Sequence, residues 1–469
     1  MNRGASLPWR PFLVAFALLL LGQLAGCGGA DTGIRPQTGP ATFSLEEPQD
    51  LAVFAEQVGA HTPLLSEGAQ QAADTFATER LFAPWRQQRT GVVVATVAPY
   101  GIAEGNIRER GFAENLLPWS AALWRGIAEN CNAAAFPSLA PRGQVAGQIG
   151  DGNPNSAIIT RNTSLRVLPT LRPMFTNPAR PGQGYPFDML QNSAIWVGTP
   201  VYVAHSSLDG AWLYCEASFA SGWVPAQDVA FTDAVFRAQY QRGRYMAIVR
   251  DQTALTDVNG RFLAQAHIGA VFPLARMVPG EPLAVLLPRR DLSGQAVLWE
   301  ALVEAQAGVL RPLPLTAGAV ADIGNRMMGQ AYGWGGLYED RDCSATLRDL
   351  FAPFGIWLPR NSAAQGKAGA VINLENLTGR AKEQLIAERG VPFRTLLWMP
   401  GHIVLYVGQW NGKPAVFHTI WGLRTLEQGK EGRLVIGRTA VTSLEPGKTI
   451  PEVQTMLLER IASMVLLGE

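Results

Sequence analysis

The stretch YGWGG at residues 332–336, followed by Asp342, Cys343 and Ser344, is the part of the sequence from which the rest can be interpreted. Beyond Ser344 the apolar residues recur at helical spacing, so the pattern predicts a helix that begins at Cys343. Unpaired backbone N–H groups and the helix dipole at such a start favour an anion, and we therefore expect the pKa of the thiol to be lowered. That position suits a nucleophile. The alternative is a buried structural cysteine, which would be the better hypothesis for a lone cysteine.

Two of the five histidines in the chain lie close together downstream and supply a candidate base for Cys343. His402 opens an apolar run that predicts a strand, Asn411 and Gly412 predict a hairpin turn, and His418 ends the returning strand. We expect His402 to take the thiol proton and His418 to hold the tautomer of His402 that can do so.

The register of this hairpin decides whether the two histidines can share a site. A two-residue turn with regular pairing would place His402 and His418 on opposite faces of the ribbon, because side chains alternate along a strand. A three-residue loop, or a single bulge, would bring both to one face. If both histidines serve one site, we predict this odd register.

A zinc site is the other common use of cysteine and histidine. It needs closely spaced ligands such as Cys-x-x-Cys or His-x-x-x-His, and the sequence has neither. We therefore predict no metal site, and the proposed chemistry of Cys343 requires no cofactor.

Short apolar runs alternate with turn signals from about residue 161 to residue 232, which predicts a small β-barrel. An Arg-x-x-Pro opening at Arg166 and a late Gly-Trp-Val at residues 222–224 resemble bacterial SH3-like domains. Residues 245–306 repeat the pattern without the Gly-Trp-Val and predict a second barrel of this kind. Residues 46–160 have mixed patterns, among them a buried strand at 91–97 and a helix at 116–127.

The first residues have the features of an export signal. Arg3 and Arg10 precede an apolar run that is too short to span a bilayer. Leu24, Ala25, Gly26 and Cys27 follow and resemble a bacterial lipobox, in which the cysteine is lipidated. We therefore expect a lipoprotein in the cell envelope, anchored through Cys27, facing the periplasm and placed in the outer membrane.

Residues 316–440 resemble the NlpC-type family of bacterial cell-wall cysteine endopeptidases, which have a papain-like core. The resemblance rests on the YGWGG stretch, on Asp342-Cys343-Ser344, on Gly401-His402 at a strand start, on His418 in the next strand, and on the stretch 358–362. It implies Cys343 as the nucleophile, His402 as the base and His418 as the third polar residue. It also implies a substrate-binding set, which we expect to comprise Tyr332, Trp334, Asp342, Ser344 and Arg360.

The resemblance also implies a substrate. Relatives with SH3-like domains ahead of the peptidase cut peptidoglycan stem peptides between γ-D-glutamate and a diamino acid. In them an SH3-like domain walls the cleft and requires a free N-terminal L-alanine. We expect the same γ-D-glutamyl–diamino acid endopeptidase activity here, on stem peptides or released muropeptide fragments. Two alternatives stay open: a peptidoglycan-binding lipoprotein without activity, and a papain-like amidase or acyl transferase that acts on another wall bond.

The predicted fold class is a multidomain α+β chain. Its segments are a lipoprotein signal with its lipobox (1–27), a flexible tether (28–45), an N-terminal accessory domain that clamps the others (46–160), a first SH3-like barrel (161–240), a second SH3-like barrel (241–312) and the papain-like peptidase domain (313–469).

Charge and the remaining cysteines add little to these predictions. The formal net charge of +1 across 469 residues gives no reason to expect nucleic acid or a polybasic membrane contact. Cys131 and Cys215 either form a disulfide in an oxidising compartment or remain two buried thiols.

Overall fold

The computed structural model describes residues 44–86, 126–127, 129–131, 154–176, 180–278 and 281–468. The predicted signal, the Cys27 lipidation site, the strand at 91–97 and most of the helix at 116–127 lie outside these residues. Within the described ranges, no helix is both long and apolar enough to cross a membrane.

The N-terminal segment consists of helices α1 (Ala52–Gln57) and α2 (Glu67–Leu81) and a 3₁₀ turn (Ala83–Arg86). Leu51 and Phe54, one helical turn apart, are fully buried and pack into the core of the C-terminal domain. Ser66 caps the start of the α2 helix, because its hydroxyl accepts the Ala69 N–H at 3.3 Å. At the other end of the segment, Trp85 Nε1 donates to the Ala157 carbonyl at 2.7 Å. The segment therefore joins the C-terminal domain to the first all-β domain.

The first all-β domain contains seven described strands and a helix, α3 (Ala234–Tyr240). Its core combines Leu165, Ile195, Val203, Cys215 and Val224. The first strand pairs with the fourth and the seventh, so the sheet starts within the segment predicted for the accessory domain. The strands are β1 (Ser156–Ile159), β2 (Thr163–Arg166), β3 (Gln191–Ile195), β4 (Pro200–Ser206), β5 (Trp212–Glu216), β6 (Ser221–Pro225) and β7 (Val229–Phe231).

The second all-β domain repeats this topology. Among the described strands the order in the first sheet is β3-β2-β6-β5-β4-β1-β7. The order in the second sheet is β10-β9-β13-β12-β11-β8-β14, so each strand of the second sheet takes the place of the strand numbered seven lower in the first. A second domain of the same kind was predicted without its Gly-Trp-Val mark, and the strand order supports it. The strands are β8 (Tyr245–Ile248), β9 (Thr253–Thr256), β10 (Phe262–Ala266), β11 (Val271–Arg276), β12 (Leu283–Arg290), β13 (Ala296–Val303) and β14 (Gly308–Arg311).

The C-terminal domain packs helices against an antiparallel sheet whose described strands have the order β15-β20-β16-β17-β18-β19. One helix, α5, lies against β17 and β18, with Leu347 and Phe351 in the same core as Ile403 and Phe417. The elements are α4 (Ala317–Met327), α5 (Cys343–Phe351), α6 (Ser362–Gln365), β15 (Ala370–Asn373), α7 (Gly379–Arg389), β16 (Thr395–Met399), β17 (His402–Trp410), β18 (Lys413–Glu427), β19 (Lys430–Ser443), α8 (Leu457–Arg460) and β20 (Ser463–Leu466).

The predicted multidomain fold, with mixed helices and strands and two small β-domains ahead of the C-terminal domain, is confirmed. Cys131 and Cys215 are both free, buried thiols in different core clusters. The structure therefore has the second alternative, two unpaired thiols, and not the disulfide. Burial raises the pKa of the Cys131 thiol to about 12.

A buried guanidinium connects the domains beside α5. Arg341 is 3% exposed and bonds both carboxylate oxygens of Asp251, in the second β-domain, at 2.8 Å. Its Nε donates to Asp349 of α5 at 2.8 Å, and Asp349 also accepts Trp196 Nε1 of the first β-domain at 3.2 Å. Carbonyl oxygens of Gln330 and Ile268 take the two remaining N–H groups. Arg341 therefore connects three domains, and it directly precedes Asp342 in the sequence.

Replacing Arg341 with methionine is expected to lower the free energy of unfolding by about 3–5 kcal/mol, because Asp251 and Asp349 would remain buried without a cation. Urea unfolding followed by fluorescence measures this. Arg250→Gln is the matched control, since Arg250 and its partner Glu304 are both exposed, and a change within about 1 kcal/mol is expected there. Equal effects of the two substitutions would contradict the role given to Arg341.

Candidate active site

Helix α5 begins as predicted, with Cys343 as its first residue. Asp342 caps the helix, because its Oδ1 accepts the Ala345 N–H at 2.9 Å and the Ser344 hydroxyl at 3.1 Å. The Cys343 side chain is 8% exposed and lines a cleft. The cap therefore holds the candidate nucleophile at the N-terminal end of the helix.

The glycines of the YGWGG stretch allow close approach to the first β-domain. Gly335 and Gly336 have φ values of +64° and +83°. A Cβ on Gly335 would lie 2.4 Å from the Gln191 carbonyl oxygen, and one on Gly336 would lie 2.5 Å from the Ala194 Cβ. Gln191 Nε2 donates to the Gly335 carbonyl at 3.1 Å. A side chain at either glycine would push the first β-domain away from the cleft.

The hairpin β17–β18 has the odd register predicted for a shared site. Trp410 pairs with Lys413 across the two-residue turn, but the register shifts by one residue between Tyr406 and Gly408. Because of this bulge, His402 and His418 lie on the same face of the sheet, and His402 Nε2 is 2.8 Å from His418 Nδ1.

His418 is fully buried behind His402. Its Nε2 lies 3.1 Å from the Thr442 hydroxyl of β19, so both of its ring nitrogens have partners. His402 uses only its Nε2 for His418, which leaves its Nδ1 for the cleft. The order from the cleft inward is thus His402, His418 and Thr442.

Burial sets the protonation states of these groups. It raises the pKa of the Cys343 thiol to about 12, and the Asp342 carboxylate acts in the same direction. It lowers the pKa of His402 to about 3, with a further contribution from Arg460. The expectation of a lowered thiol pKa is therefore wrong for this structure. The N–H groups of Ile403 and Ser344 do stabilise the thiolate, but the loss of hydration outweighs them.

The cleft has a volume of about 1030 Å³, and residues of the first β-domain and of the C-terminal domain line it. Cys343 and His402 line it, and all five residues of the predicted substrate-binding set do so as well. His418, behind His402, does not. The first β-domain contributes residues that local sequence patterns did not reveal: Gly182, Phe187, Gln191, Asn192, Phe219, Ala220 and Ser221.

Aromatic rings form one wall of the cleft. Phe187 of the first β-domain lies 5.4 Å from the Trp334 ring and 5.7 Å from the Trp421 ring, measured between centroids. Trp421 also contacts Tyr332, at 5.9 Å. Trp334 is 38% exposed, so part of this wall is open to a ligand.

Arg360 mainly holds Asp342 and Ser344 in place. Its guanidinium bonds the two oxygens of Asp342 at 3.0 and 2.7 Å, the Ser344 hydroxyl at 2.9 Å and the Ser193 hydroxyl at 2.8 Å. Burial alone would raise the pKa of Asp342, but Arg360 reverses the effect and the pKa is lowered. Gln365 adds a second support, because its Nε2 donates to the Ser344 carbonyl at 2.8 Å.

Within the described part of the chain, no group of three or more His, Cys, Asp or Glu side chains is arranged to hold a metal ion. The polar groups of the cleft instead combine a cysteine at a helix start, a hydrogen-bonded histidine pair and a buried Arg360–Asp342 ion pair. Such a set is suited to attack on an acyl carbon.

These features define a cysteine-dependent hydrolase-type domain, and family models give it a more specific identity. An NlpC/P60 family model matches residues 329–420, and an N-terminal NLPC_P60 stabilising domain matches residues 13–136. SH3 domains of the SH3b1 and SH3b2 types match residues 173–225 and 233–276. The chain therefore carries an NlpC/P60 domain preceded by a stabilising domain and two SH3b domains, and the predicted family resemblance is confirmed.

One solved structure is similar to nearly the whole of this chain. A novel NlpC/P60 endopeptidase from Photobacterium damselae subsp. piscicida is 26% identical over 91% of this chain and 98% of its own, with a TM-score of 0.78. An NlpC/P60 family protein from Bacillus cereus is 16% identical over 67% of this chain and 100% of its own, with a TM-score of 0.44. No curated protein matches the sequence.

Gly408→Ala is expected to separate the two histidines, because φ at Gly408 is +127°, which a residue with a side chain rarely adopts. An added Cβ would meet only Phe54, at 3.9 Å, so the substitution tests backbone conformation and not crowding. We expect a stability loss of about 1–3 kcal/mol. In ¹⁵N NMR spectra the signature of the His402–His418 hydrogen bond should disappear.

The matched control for this prediction is Gly412→Asn at the tip of the same hairpin. Its φ of +75° suits asparagine, and no atom lies within 4 Å of an added Cβ. The control should keep the histidine signature. If Gly408→Ala keeps it too, the bulge is not what aligns the histidines.

Proposed function

We propose that this chain is a cell-wall endopeptidase that hydrolyses the γ-D-glutamyl–diamino acid bond of peptidoglycan stem peptides. Cys343 is the nucleophile, His402 the general base and His418 the residue that orients it. The observation that carries the proposal is the bulged hairpin, which places His402 Nε2 2.8 Å from His418 Nδ1. His402 and Cys343 line the same cleft. The NlpC/P60 domain supports a hydrolase of the cysteine type, and the Photobacterium structure is described as an endopeptidase.

The mechanism begins from a neutral thiol and a neutral imidazole. Cys343 Sγ attacks the γ-glutamyl carbonyl carbon while its proton passes to His402 Nδ1. Because burial disfavours a separated thiolate, transfer and attack are expected to occur together. The C–N bond then breaks, and His402 returns the proton to the leaving amine. Water, deprotonated by His402, finally attacks the thioester, releases the glutamyl carboxylate and restores the thiol.

Two features support the charged stages of this reaction. The hydrogen bond from His402 to His418 fixes the ring and lets the positive charge on His402 be shared along the pair. The Cys343 backbone N–H lies in the first turn of α5, where N–H groups have no partner within the helix. It is therefore the best-placed donor to the oxyanion.

We infer that the first SH3b domain limits access to the N-terminal side of the substrate. Gln191 and Asn192 line the cleft together with Asp342 and Ser344. Arg360 already offsets the charge of Asp342, so a substrate ammonium would be recognised by hydrogen-bond acceptors more than by net charge. The preference for a free N-terminal L-alanine should therefore be real but moderate.

The SH3b and NlpC/P60 domains support association with the bacterial cell wall and binding of peptidoglycan-derived ligands. Anchoring through a lipid on Cys27 and placement in the outer membrane remain predictions from the sequence.

The test of the proposed function uses L-Ala-γ-D-Glu-diaminopimelate and its N-acetylated form, with products identified by mass spectrometry. We expect L-Ala-D-Glu from the free peptide, and a kcat/KM for the acetylated peptide that is lower by roughly tenfold or more. Cys343→Ala and His402→Ala should each lower kcat by at least about 10²-fold, because both groups take part in bond breaking.

Cys131→Ala is the matched control, because Cys131 is also a buried free thiol but belongs to a core cluster that shares no residue with the lining of the cleft. It should keep the wild-type rate. Binding of the peptide without cleavage would favour the non-catalytic alternative. Cleavage at another bond of a larger muropeptide would favour the amidase.

A further inference from the structure

The charge of the cleft is unevenly distributed. Among the described residues that line it, the charged side chains are one carboxylate, Asp342, and four guanidiniums, those of Arg360, Arg424, Arg433 and Arg460. Asp342 and Arg360 neutralise each other on the side of the first SH3b domain. The other three arginines, from the β18–β19 hairpin and α8, have no carboxylate among the described lining residues to balance them, so this part of the cleft is basic.

Arg433 is only partly compensated by its neighbours. Its Nη1 lies 3.3 Å from a Glu431 oxygen that also accepts Arg424 Nε at 3.0 Å, so one carboxylate serves two guanidiniums. Its Nη2 lies close to Gly182 of the first SH3b domain, 3.4 Å from the position that an added Cβ would take. The side chain is 25% exposed, so it has donors available to a ligand.

Arg460 has no carboxylate within ion-pair distance in the described part of the chain. Its Nη2 donates to the Pro400 carbonyl at 2.6 Å, two residues before His402. Burial and the neighbouring charge of Arg433 lower the pKa of Arg460, and Arg460 in turn contributes to the lowered pKa of His402. Two like charges held together in a cleft are stabilised when an anion binds between them.

The position of this pair indicates which part of a substrate it would contact. His402 gives its proton to the leaving amine, so the leaving group lies on the His402 side of Cys343. Arg460 is fastened to the residues directly before His402. We propose that Arg433 and Arg460 bind the distal carboxylate of the leaving diamino acid and thereby select a diamino acid that carries this second carboxylate. This inference rests on the proposed function and adds a determinant of specificity to it.

The chemistry of the two common wall diamino acids makes the proposal testable. Diaminopimelate is lysine with one additional carboxylate, on the carbon that bears the distal amine. Amidation of that carboxylate removes its charge and leaves the rest of the residue unchanged. The site should therefore prefer diaminopimelate to both lysine and amidated diaminopimelate.

The experiment measures kcat and KM for three tripeptides, L-Ala-γ-D-Glu followed by diaminopimelate, by its distal amide or by L-lysine. For the wild-type protein we expect KM to be lowest for diaminopimelate, by roughly tenfold. The double substitution Arg433→Gln and Arg460→Gln should bring the KM ratios close to one. Arg250→Gln, an exposed paired arginine outside the cleft, should keep the wild-type ratios.

The outcomes separate this inference from the proposed function. Equal KM values for the three peptides in the wild-type protein would overturn the inference and leave the endopeptidase intact. A fall in kcat that is the same for all peptides in the double variant would also overturn it, because the arginines would then act only through His402. If the wild-type protein cleaves none of the peptides, the proposed function fails and the inference fails with it.

Discussion

The guanidinium of Arg341 uses all five of its N–H groups within the protein, and Arg341 stands two residues before the nucleophile in the sequence. Its partners are Asp251 and Ile268 in the second SH3b domain, Asp349 in α5 and Gln330 after α4, and Asp349 extends the connection to Trp196 of the first SH3b domain. A buried cation of this kind is stable only when every carboxylate around it stays in position. The arrangement of the domains and the start of α5 are therefore set by the same group of charges.

The cleft depends on this arrangement because neither domain forms it alone. The NlpC/P60 domain supplies Cys343, His402 and Arg360, whereas the first SH3b domain supplies Phe187, Gln191 and Asn192. Ser193 bonds Arg360, and Gln191 bonds Gly335, so the two domains share hydrogen bonds directly beside Asp342. A substrate entering the cleft meets a boundary that is already formed, which reduces the ordering that binding would otherwise require.

Local patterns in the sequence were sufficient for the parts of the site that depend on neighbours along the chain. The start of α5 follows from helical spacing after Cys343, and the odd register of the hairpin follows from requiring two histidines on one face. The sequence left open whether a longer loop or a bulge produces this register, and the structure has a bulge between Tyr406 and Gly408. The roles of Arg341 and Arg360 could not be predicted in this way, because Asp251 and Ser193, which bind them in other domains, are distant in sequence. The thiol pKa was mispredicted for a related reason: the helix start is local, but the burial that raises the pKa is produced by the whole fold.

The central claim is that Cys343 forms a covalent acyl-enzyme with the glutamyl part of the substrate. The most direct measurement is rapid-quench mass spectrometry of the intact protein during reaction with L-Ala-γ-D-Glu-diaminopimelate, followed by peptide mapping. We expect a transient L-Ala-D-Glu adduct on Cys343, formed as diaminopimelate is released. Two results would contradict an acyl-enzyme on Cys343. One is release of diaminopimelate without an adduct under conditions in which a thioester is hydrolysed slowly, and the other is an adduct on a different residue.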